Sequence, residues 1–220
     1  MNPTWYFPPV DLANPDGLLA IGGDLSPEKL LIAYQSGIFP WYSEGQPILW
    51  WSPDPRFILY PAKLRFSRSM KQTFRKNIFT VTYDKAFGKV ISLCKRIPRK
   101  GQEGTWITPE MQEAYMQLHR LGLAHSVEVW REDRLVGGLY GLALGKCFFG
   151  ESMFSLESNA SKMGFISLVK RLEERKYQLI DCQVYTAHLE SLGAEMIPRS
   201  EFVEMLRENQ HFETEQGKWE

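Results

Sequence analysis

The feature that most restricts the fold of this chain is the alternation of apolar and polar residues between residues 124 and 155. Successive side chains of a β-strand point to opposite faces of a sheet, so this alternation is typical of strands with one packed face. Two short turns interrupt it, at residues 132–134 and 144–146. The segment therefore predicts three consecutive antiparallel strands.

Helices and one more strand surround these three strands. Residues 108–122 predict an amphipathic helix capped by Thr108, residues 159–176 a second helix, residues 177–184 a strand, and residues 187–196 and 200–209 two closing helices. The order of helix, three strands, helix, strand and helix resembles the GNAT acyltransferase fold. That resemblance implies an α+β domain with a mixed, mainly antiparallel sheet that opens to admit an activated acyl donor.

The N-terminal part has a different composition, rich in Pro, Gly and Trp. Clusters of Pro and Gly break regular structure, but residues 26–37 predict one helix, with Ser26 as N-cap, Pro27 at its first position and Gly37 as its stop. We predict a smaller N-terminal α/β domain at residues 1–62 and a GNAT-like catalytic domain at residues 63–220. A short basic helix at 67–77 and a strand at 78–84 open the second domain.

Charge is strongly segregated along the chain, although the formal net charge is zero. Residues 56–100 contain thirteen basic side chains against one acidic side chain, a net charge of +12. Such a block indicates a polyanionic partner, with an ordinary solvated face as the alternative. Arg68, Lys71 and Arg75 form one positive stripe on the predicted basic helix and are candidate phosphate contacts, or simply an exposed helix surface.

Several function classes find no support. The three cysteines are widely spaced, which fits a reducing cytoplasm, and no stretch is apolar enough for a membrane span. The four histidines are scattered singly, so no metal site is predicted. No phosphate-binding glycine loop is present, because Gly164 lies too far inside its helix to cradle the pyrophosphate of an acyl-CoA. We expect no cofactor.

Carboxylates interrupt two of the apolar strands. Alternation places Asp181 and Gln183 on one face of their strand, and it places Glu151, Met153 and Ser155 together on another. A buried carboxylate is costly unless it is paired or hydrogen-bonded, so these positions indicate a site. A structural role for Asp181, as a cap or a satisfied internal group, is the alternative.

Long motifs then identify a family. The segments NPDGLLAIGGDLSPEKLLIAYQSGIFPWYSEGQPILWWSPDPR, GTWIT, HSVEVW, FFGESMFS, NASK, LIDCQV and SLGAEMIPR resemble, in order and spacing, the bacterial leucyl/phenylalanyl-tRNA–protein transferases. The resemblance covers residues 14–199. It implies transfer of Leu or Phe, and less readily Met, from aminoacyl-tRNA to an N-terminal Arg or Lys of an acceptor protein, which marks that protein for N-degron proteolysis.

The resemblance also implies roles for individual residues. Asp181, Gln183 and Glu151 become the catalytic group, with Asp181 orienting Gln183 and helping to hold the cationic acceptor; the proton acceptor stays open among Gln183, Asp181, water and the tRNA ribose. The donor side chain is expected to bind in an apolar pocket with the walls Leu139, Met153, Phe165 and Ile180. Without the resemblance, these four residues would be interpreted as ordinary core. Ser155 is the candidate polar floor of the pocket.

Aromatic residues are the candidates for binding the terminal adenosine of tRNA. Trp41 and Trp106 are the predicted stacking platforms, and Trp50 and Trp51 are alternatives. Two other classes stay open: an acyl-CoA-dependent N-acetyltransferase and a non-catalytic RNA-binding module. A soluble cytoplasmic monomer is the expected form.

Overall fold

Residues 7–97 and 107–219, which the computed structural model describes, form two β-sheets and seven α-helices. The small sheet has the strand order β1-β3-β2 and is antiparallel, with β1 at Leu18–Ile21, β2 at Phe39–Pro40 and β3 at Leu49–Trp51. The large sheet has the order β10-β4-β9-β8-β7-β6-β5, with β4 at Arg56–Leu59, β5 at Thr80–Tyr83, β6 at Ala124–Arg131, β7 at Arg134–Leu144, β8 at Cys147–Ser155, β9 at Leu179–Gln183 and β10 at Glu195–Ile197.

The seven helices connect and cover these strands. They are α1 at Pro27–Gln35, α2 at Arg68–Arg75, α3 at Phe87–Arg96, α4 at Pro109–Arg120, α5 at Ala160–Glu174, α6 at Ala187–Glu190 and α7 at Arg199–Asn209. None of the helices in the described residues is long and apolar enough to cross a membrane. The fold is therefore α+β with a mixed sheet, as the sequence predicted.

One pair of neighbouring strands in the large sheet is parallel, and it positions the site described below. Strands β8 and β9, which α5 connects along the chain, pair in parallel. Every other neighbouring pair of this sheet is antiparallel. The parallel pairing covers only residues 147–149 of β8 and 179–181 of β9. Because β8 continues to Ser155 without this partner, the sheet opens between the two strands.

The predicted helix starts are confirmed where a side chain caps the backbone. The hydroxyl oxygens of Ser67 and Thr108 each accept a 3.2 Å hydrogen bond from an N–H in the first turn, of α2 and α4 respectively. Helix α1 begins at Pro27 as predicted, although the Ser26 side chain makes no capping bond. The helix predicted at 187–196 is wrong in its second half. It ends after one turn and gives way to β10, because Gly193 adopts a left-handed φ of 106°.

Two apolar layers cover opposite faces of the large sheet. Along β7, β8 and β9, neighbouring residues alternate between two core clusters: Tyr140, Phe149 and Leu179 belong to the first, and Leu139, Phe148 and Ile180 to the second. Alternation along a strand means opposite faces. The buried apolar residues of α1, α3 and α4 lie in the first cluster, and Met70 of α2 lies in the second, together with much of α5.

The N-terminal segment contributes to both sheets. Strand β4 pairs with β9 and β10 inside the large sheet, although residues 56–59 precede the predicted domain boundary at residue 62. The buried residues of α1 belong to the first core cluster of the large sheet. The two-domain division stays a prediction, and a boundary that respects the sheet falls before Arg56.

Candidate active site

The opening between β8 and β9 leads into a cavity of about 470 Å³. Its lining is mostly apolar and includes the loop around Trp41, helix α5 and the residues that follow β9. All three predicted catalytic residues line it, namely Glu151, Asp181 and Gln183. A concave, largely apolar cavity with a few convergent polar groups is the usual form of a small-molecule site.

Glu151 is the extra residue of a β-bulge. Ser152 pairs with Tyr140 and Gly150 pairs with Gly141, so Glu151 has no partner of its own on β7. A bulge changes the direction of the side chain at its position and is common beside active sites. The predicted common face of Glu151 and Met153 is not observed, because Glu151 bonds to tyrosines of the first cluster while Met153 packs against the second.

Three donors hold the Glu151 carboxylate. The hydroxyls of Tyr34 and Tyr115 and the side-chain amide of Gln183 each donate to it at 2.7 Å, and the two hydroxyls also contact each other. Burial disfavours the ionised form and raises the pKa of Glu151 to about 7, although these hydrogen bonds act in the opposite direction. The group is therefore poised to exchange a proton near neutral pH.

Asp181 forms a buried ion pair with Arg56, a residue that the sequence reasoning missed. Nε and one terminal nitrogen of Arg56 donate to the two oxygens of Asp181 at 2.8 and 2.7 Å, and both side chains are at most 1% exposed. The guanidinium also donates to the carbonyl of Gly37 and lies between the rings of Phe39 and Phe202, 4.8 and 4.7 Å from their centroids. Both oxygens of Asp181 are thus engaged by Arg56, and its expected contact with the cationic acceptor stays a prediction.

Gln183 is held by both of its neighbours in this group. Its backbone N–H donates to Asp181 at 2.9 Å, and its side-chain amide donates to Glu151 at 2.7 Å, so both contacts fit the predicted orienting role of Asp181. Gln183 has a φ of 63°, and the N–H of Val184 bonds to the carbonyl of Cys182 at 2.8 Å, which forms a tight γ-turn. Such a conformation costs on the order of 1–3 kcal/mol and is typical of functional sites.

The predicted pocket walls also meet in the cavity. Leu139, Met153, Phe165 and Ile180 all line it, and Phe148 and Leu168 complete this apolar side. The last two were missed because a strand or helix periodicity does not distinguish a core residue from a pocket residue. The thiol of Cys182 also lines the cavity, and burial raises its pKa far above the ordinary range, so it is not a thiolate nucleophile.

The remaining predicted residues have different outcomes. Trp41 lines the cavity and is 40% exposed, with its ring beside that of Trp51. Trp106 lies outside the described residues. Ser155 does not line the cavity, because it is exposed at the end of β8, where its hydroxyl bonds to the carbonyl of Glu157 and to the N–H of Ser161. It does not form a polar floor.

The predicted positive stripe is exposed. Arg68, Lys71 and Arg75 all lie on the surface of α2, and no ion pair forms between them and any acidic residue within 7–97 and 107–219. The buried residue of α2, Met70, packs in the second cluster, which also contains Phe165 and Ile180 of the cavity wall. The basic helix and the pocket thus share one layer of the fold.

Residues 7–97 and 107–219 contain no cluster of three or more metal-ligating side chains.

Comparison with known proteins gives one consistent family. A family model described as leucyl/phenylalanyl-tRNA protein transferase matches residues 58–207, and the model of its N-terminal domain matches residues 23–54. Proteins named leucyl/phenylalanyl-tRNA–protein transferase are 61% identical over 213 residues in Syntrophus aciditrophicus and 58% identical over 202 residues in Flavobacterium johnsoniae. These alignments cover 97% and 92% of this chain and 89% and 95% of the relatives.

Solved structures are only distantly similar. The L-PGS structure from Bacillus licheniformis is 11% identical, with a TM-score of 0.43 and coverage of 74% of this chain and 52% of that one. A GCN5-related N-acetyltransferase from Kribbella flavida is 10% identical, with a TM-score of 0.35 and coverage of 79% and 61%. Scores this low do not establish a shared fold.

Proposed function

The chain belongs to the leucyl/phenylalanyl-tRNA–protein transferase family, and from that premise we propose that it transfers Leu or Phe, and less readily Met, to the N-terminal Arg or Lys of acceptor proteins. The donor is aminoacyl-tRNA, and the transfer marks the acceptor for N-degron proteolysis. The observation that supports this proposal most directly is the hydrogen-bonded pair of Glu151 and Gln183 facing an apolar cavity.

The reaction makes modest chemical demands. The neutral α-amine of the acceptor attacks the ester carbonyl carbon, the new C–N bond forms, and the bond from that carbon to the ribose oxygen breaks. The amine loses one proton and the ribose oxygen gains one. Because the step exchanges an ester for a more stable amide, it is downhill and requires no ATP. An α-amine has a pKa of about 7.7–8.0, so an appreciable fraction is neutral near pH 7. The enzyme contributes mainly by orienting the reactants and by moving this proton.

Two residues of the cavity fit these tasks. Because the amide nitrogen of Gln183 is engaged by Glu151, its carbonyl oxygen is left to accept a hydrogen bond from the attacking amine. Glu151, with a pKa of about 7, accepts the amine proton and returns it to the ribose oxygen. Asp181 is a positioning residue in this proposal, because Arg56 occupies both of its oxygens.

The apolar wall fits the donor amino acid. Leu139, Phe165 and Ile180 form an apolar side of the cavity, and the unbranched side chain of Met153 can adapt to either Leu or Phe. Trp41, partly exposed at the cavity, supports stacking of the terminal adenosine of tRNA. Trp106 remains a second proposed platform on the basis of its motif alone.

We extend the proposal to the architecture. The parallel pair that separates into a cavity supports a GNAT-like arrangement of the catalytic domain. We propose an N-terminal domain that ends before Arg56, because β4 belongs to the large sheet. We also propose a cytoplasmic monomer, since aminoacyl-tRNA is a substrate of cytoplasmic translation.

A direct assay tests the activity. Purified protein is mixed with leucyl-tRNA charged with labelled leucine and with a peptide that begins with Arg. We expect label in the peptide, and none when the N-terminal Arg is acetylated or when acetyl-CoA replaces the charged tRNA. Acetylation of the peptide from acetyl-CoA would instead favour an N-acetyltransferase, and RNA binding without any transfer would favour a binding module.

The basic stripe gives a second prediction. Replacing both Lys71 and Arg75 with alanine should weaken tRNA binding, because counterion release from phosphates depends on the number of contacting cations. The slope of log K against log[salt] should become shallower by about 0.7–0.9 for each lost contact. Filter binding or fluorescence anisotropy of charged tRNA across a salt series measures both quantities.

A matched control removes the same charge elsewhere. Lys85 and Lys89 are exposed beside or on α3, whose buried side chains face the first core cluster rather than the second. Replacing both with alanine should leave the salt slope unchanged. Equal effects of the two double variants would mean that net charge, and not the surface of α2, governs tRNA binding.

A further inference from the structure

The segment after α7 packs against the turn that joins β7 to β8. Thr214 accepts a 2.9 Å hydrogen bond from the N–H of Gly145, and Glu215 pairs with Lys146 at 3.0 Å. Both contacts hold the turn that joins β7 to β8, directly before the strand that carries Phe148, Glu151 and Met153. At the end of the described residues, Trp219 is inserted into the second core cluster.

Trp219 is fixed there by contacts on several sides. Its ring is 2% exposed and stacks on His125 with centroids 4.1 Å apart, and its backbone N–H donates to the carboxylate of Asp84 at 2.7 Å. The rings of Tyr83 and Tyr177 also border it. A large aromatic side chain with such contacts has little freedom to move.

The contact that matters for the reaction joins Trp219 to Phe148. Their ring centroids are 5.9 Å apart, and Phe148 lines the apolar side of the cavity. The Phe148 ring also lies close to Gly141, where an added Cβ would be only 2.6 Å from Cζ of the phenylalanine. Phe148 therefore packs against both Gly141 and Trp219 while it lines the cavity, so a shift of its ring would change how far the pocket extends.

We propose that Trp219 is a positioning residue that sets the size of the donor pocket through Phe148, and thereby the selectivity between Leu and Phe. This inference rests on the proposed function, because it concerns the donor of that same reaction. Removing the indole leaves space behind Phe148, so that its ring can retreat. A retreating ring weakens the contacts of the smaller leucine side chain and accommodates the larger phenylalanine ring.

Comparison of two donors tests the proposal. In the Trp219→Ala variant, the ratio of kcat/KM for phenylalanyl-tRNA to that for leucyl-tRNA should rise about fivefold relative to the unmodified protein. Loss of folded protein lowers both values equally, so a purely structural role leaves the ratio unchanged. The matched control is Trp130→Ala, which removes a partly buried indole bonded to Thr82 and absent from the cavity lining; its ratio should not change.

Two further variants keep the test decisive. If Trp219→Ala does not fold, Trp219→Phe retains an aromatic ring against His125, and its ratio should rise about twofold. In a Phe148→Ala background, replacing Trp219 should no longer alter the ratio, because the intermediary is missing. An unchanged ratio in a folded Trp219 variant, or a shift toward leucine, overturns the proposal. Absence of transfer by the unmodified protein would instead refute the proposed function itself.

Discussion

Replacing Arg56 with alanine is expected to lower the free energy of unfolding by about 3–5 kcal/mol and to abolish transfer. The change leaves the Asp181 carboxylate charged, fully buried and without its ionic partner. It also removes the cation from between the rings of Phe39 and Phe202. Urea denaturation measures the loss of stability, and the transfer assay is performed where the variant is still folded.

A double replacement separates stability from activity. Arg56→Met together with Asp181→Leu replaces the ion pair with apolar side chains of similar volume, which is often neutral for stability. Transfer should stay impaired, because the backbone N–H of Gln183 loses the oxygen that orients it. A double variant with full activity would contradict a positioning role for Asp181. Lys63→Ala is the matched control, because its ion pair with Glu195 is exposed and should contribute less than about 1 kcal/mol.

Replacing Glu151 with glutamine is expected to reduce kcat by about 10²–10⁴ at pH 8, with little effect on tRNA binding. The amide cannot accept a proton from the attacking amine. In the unmodified protein, the carboxyl is protonated and inactive below its pKa of about 7, so the rate should rise as the pH passes through that value. The pH profile of single-turnover transfer measures this rise; the variant should lack the part with a midpoint near 7 and keep the part due to deprotonation of the acceptor amine at about 7.7–8.0.

Tyr115→Phe provides the control for that assignment. The tyrosine hydroxyl stabilises the ionised carboxylate, so its removal should raise the pKa of Glu151 and move the midpoint of the profile to higher pH.

The free energy of unfolding as a function of pH offers an independent measurement. Because the pKa is raised on folding, the protonated carboxyl stabilises the fold below about pH 4.5, and this contribution is lost as the pH rises through about 7. Glu151→Gln should reduce that loss, and an unchanged dependence of stability on pH would argue against a raised pKa of Glu151 in the folded protein.

Much of the fold was predictable because its signals are local. The alternation at residues 124–155 and the capping residues Ser67 and Thr108 depend on side-chain period and on nearby backbone groups, and both predictions are confirmed. The short strands β1 to β4 were missed, because two to four residues among prolines and glycines carry too little periodicity. Helix α3 was missed as well, although its basic and apolar residues have helical spacing.

The site was predictable only in part, for a related physical reason. Motifs indicated Glu151 and Gln183, and the structure brings both to the cavity. Arg56 could not be recognised as the partner of Asp181, because a pair separated by 125 residues leaves no local pattern. The tyrosines that hold Glu151 looked like ordinary core residues of two helices. The bulge at Glu151 also escaped prediction, since strict alternation assumes an unbroken ladder.

The N-terminal portion at residues 7–55 supplies groups to the cavity that the rest of the described chain does not. The Tyr34 hydroxyl donates to the Glu151 carboxylate, the Gly37 carbonyl accepts a hydrogen bond from Arg56, and Trp41 lines the cavity. A fragment that begins at Arg56 would therefore keep Glu151 and Gln183 but lose the hydroxyl of Tyr34 and the ring of Trp41. Exchanging the N-terminal portion for that of a distant homologue is therefore expected to disturb the cavity unless the residues that face the cavity are exchanged as well.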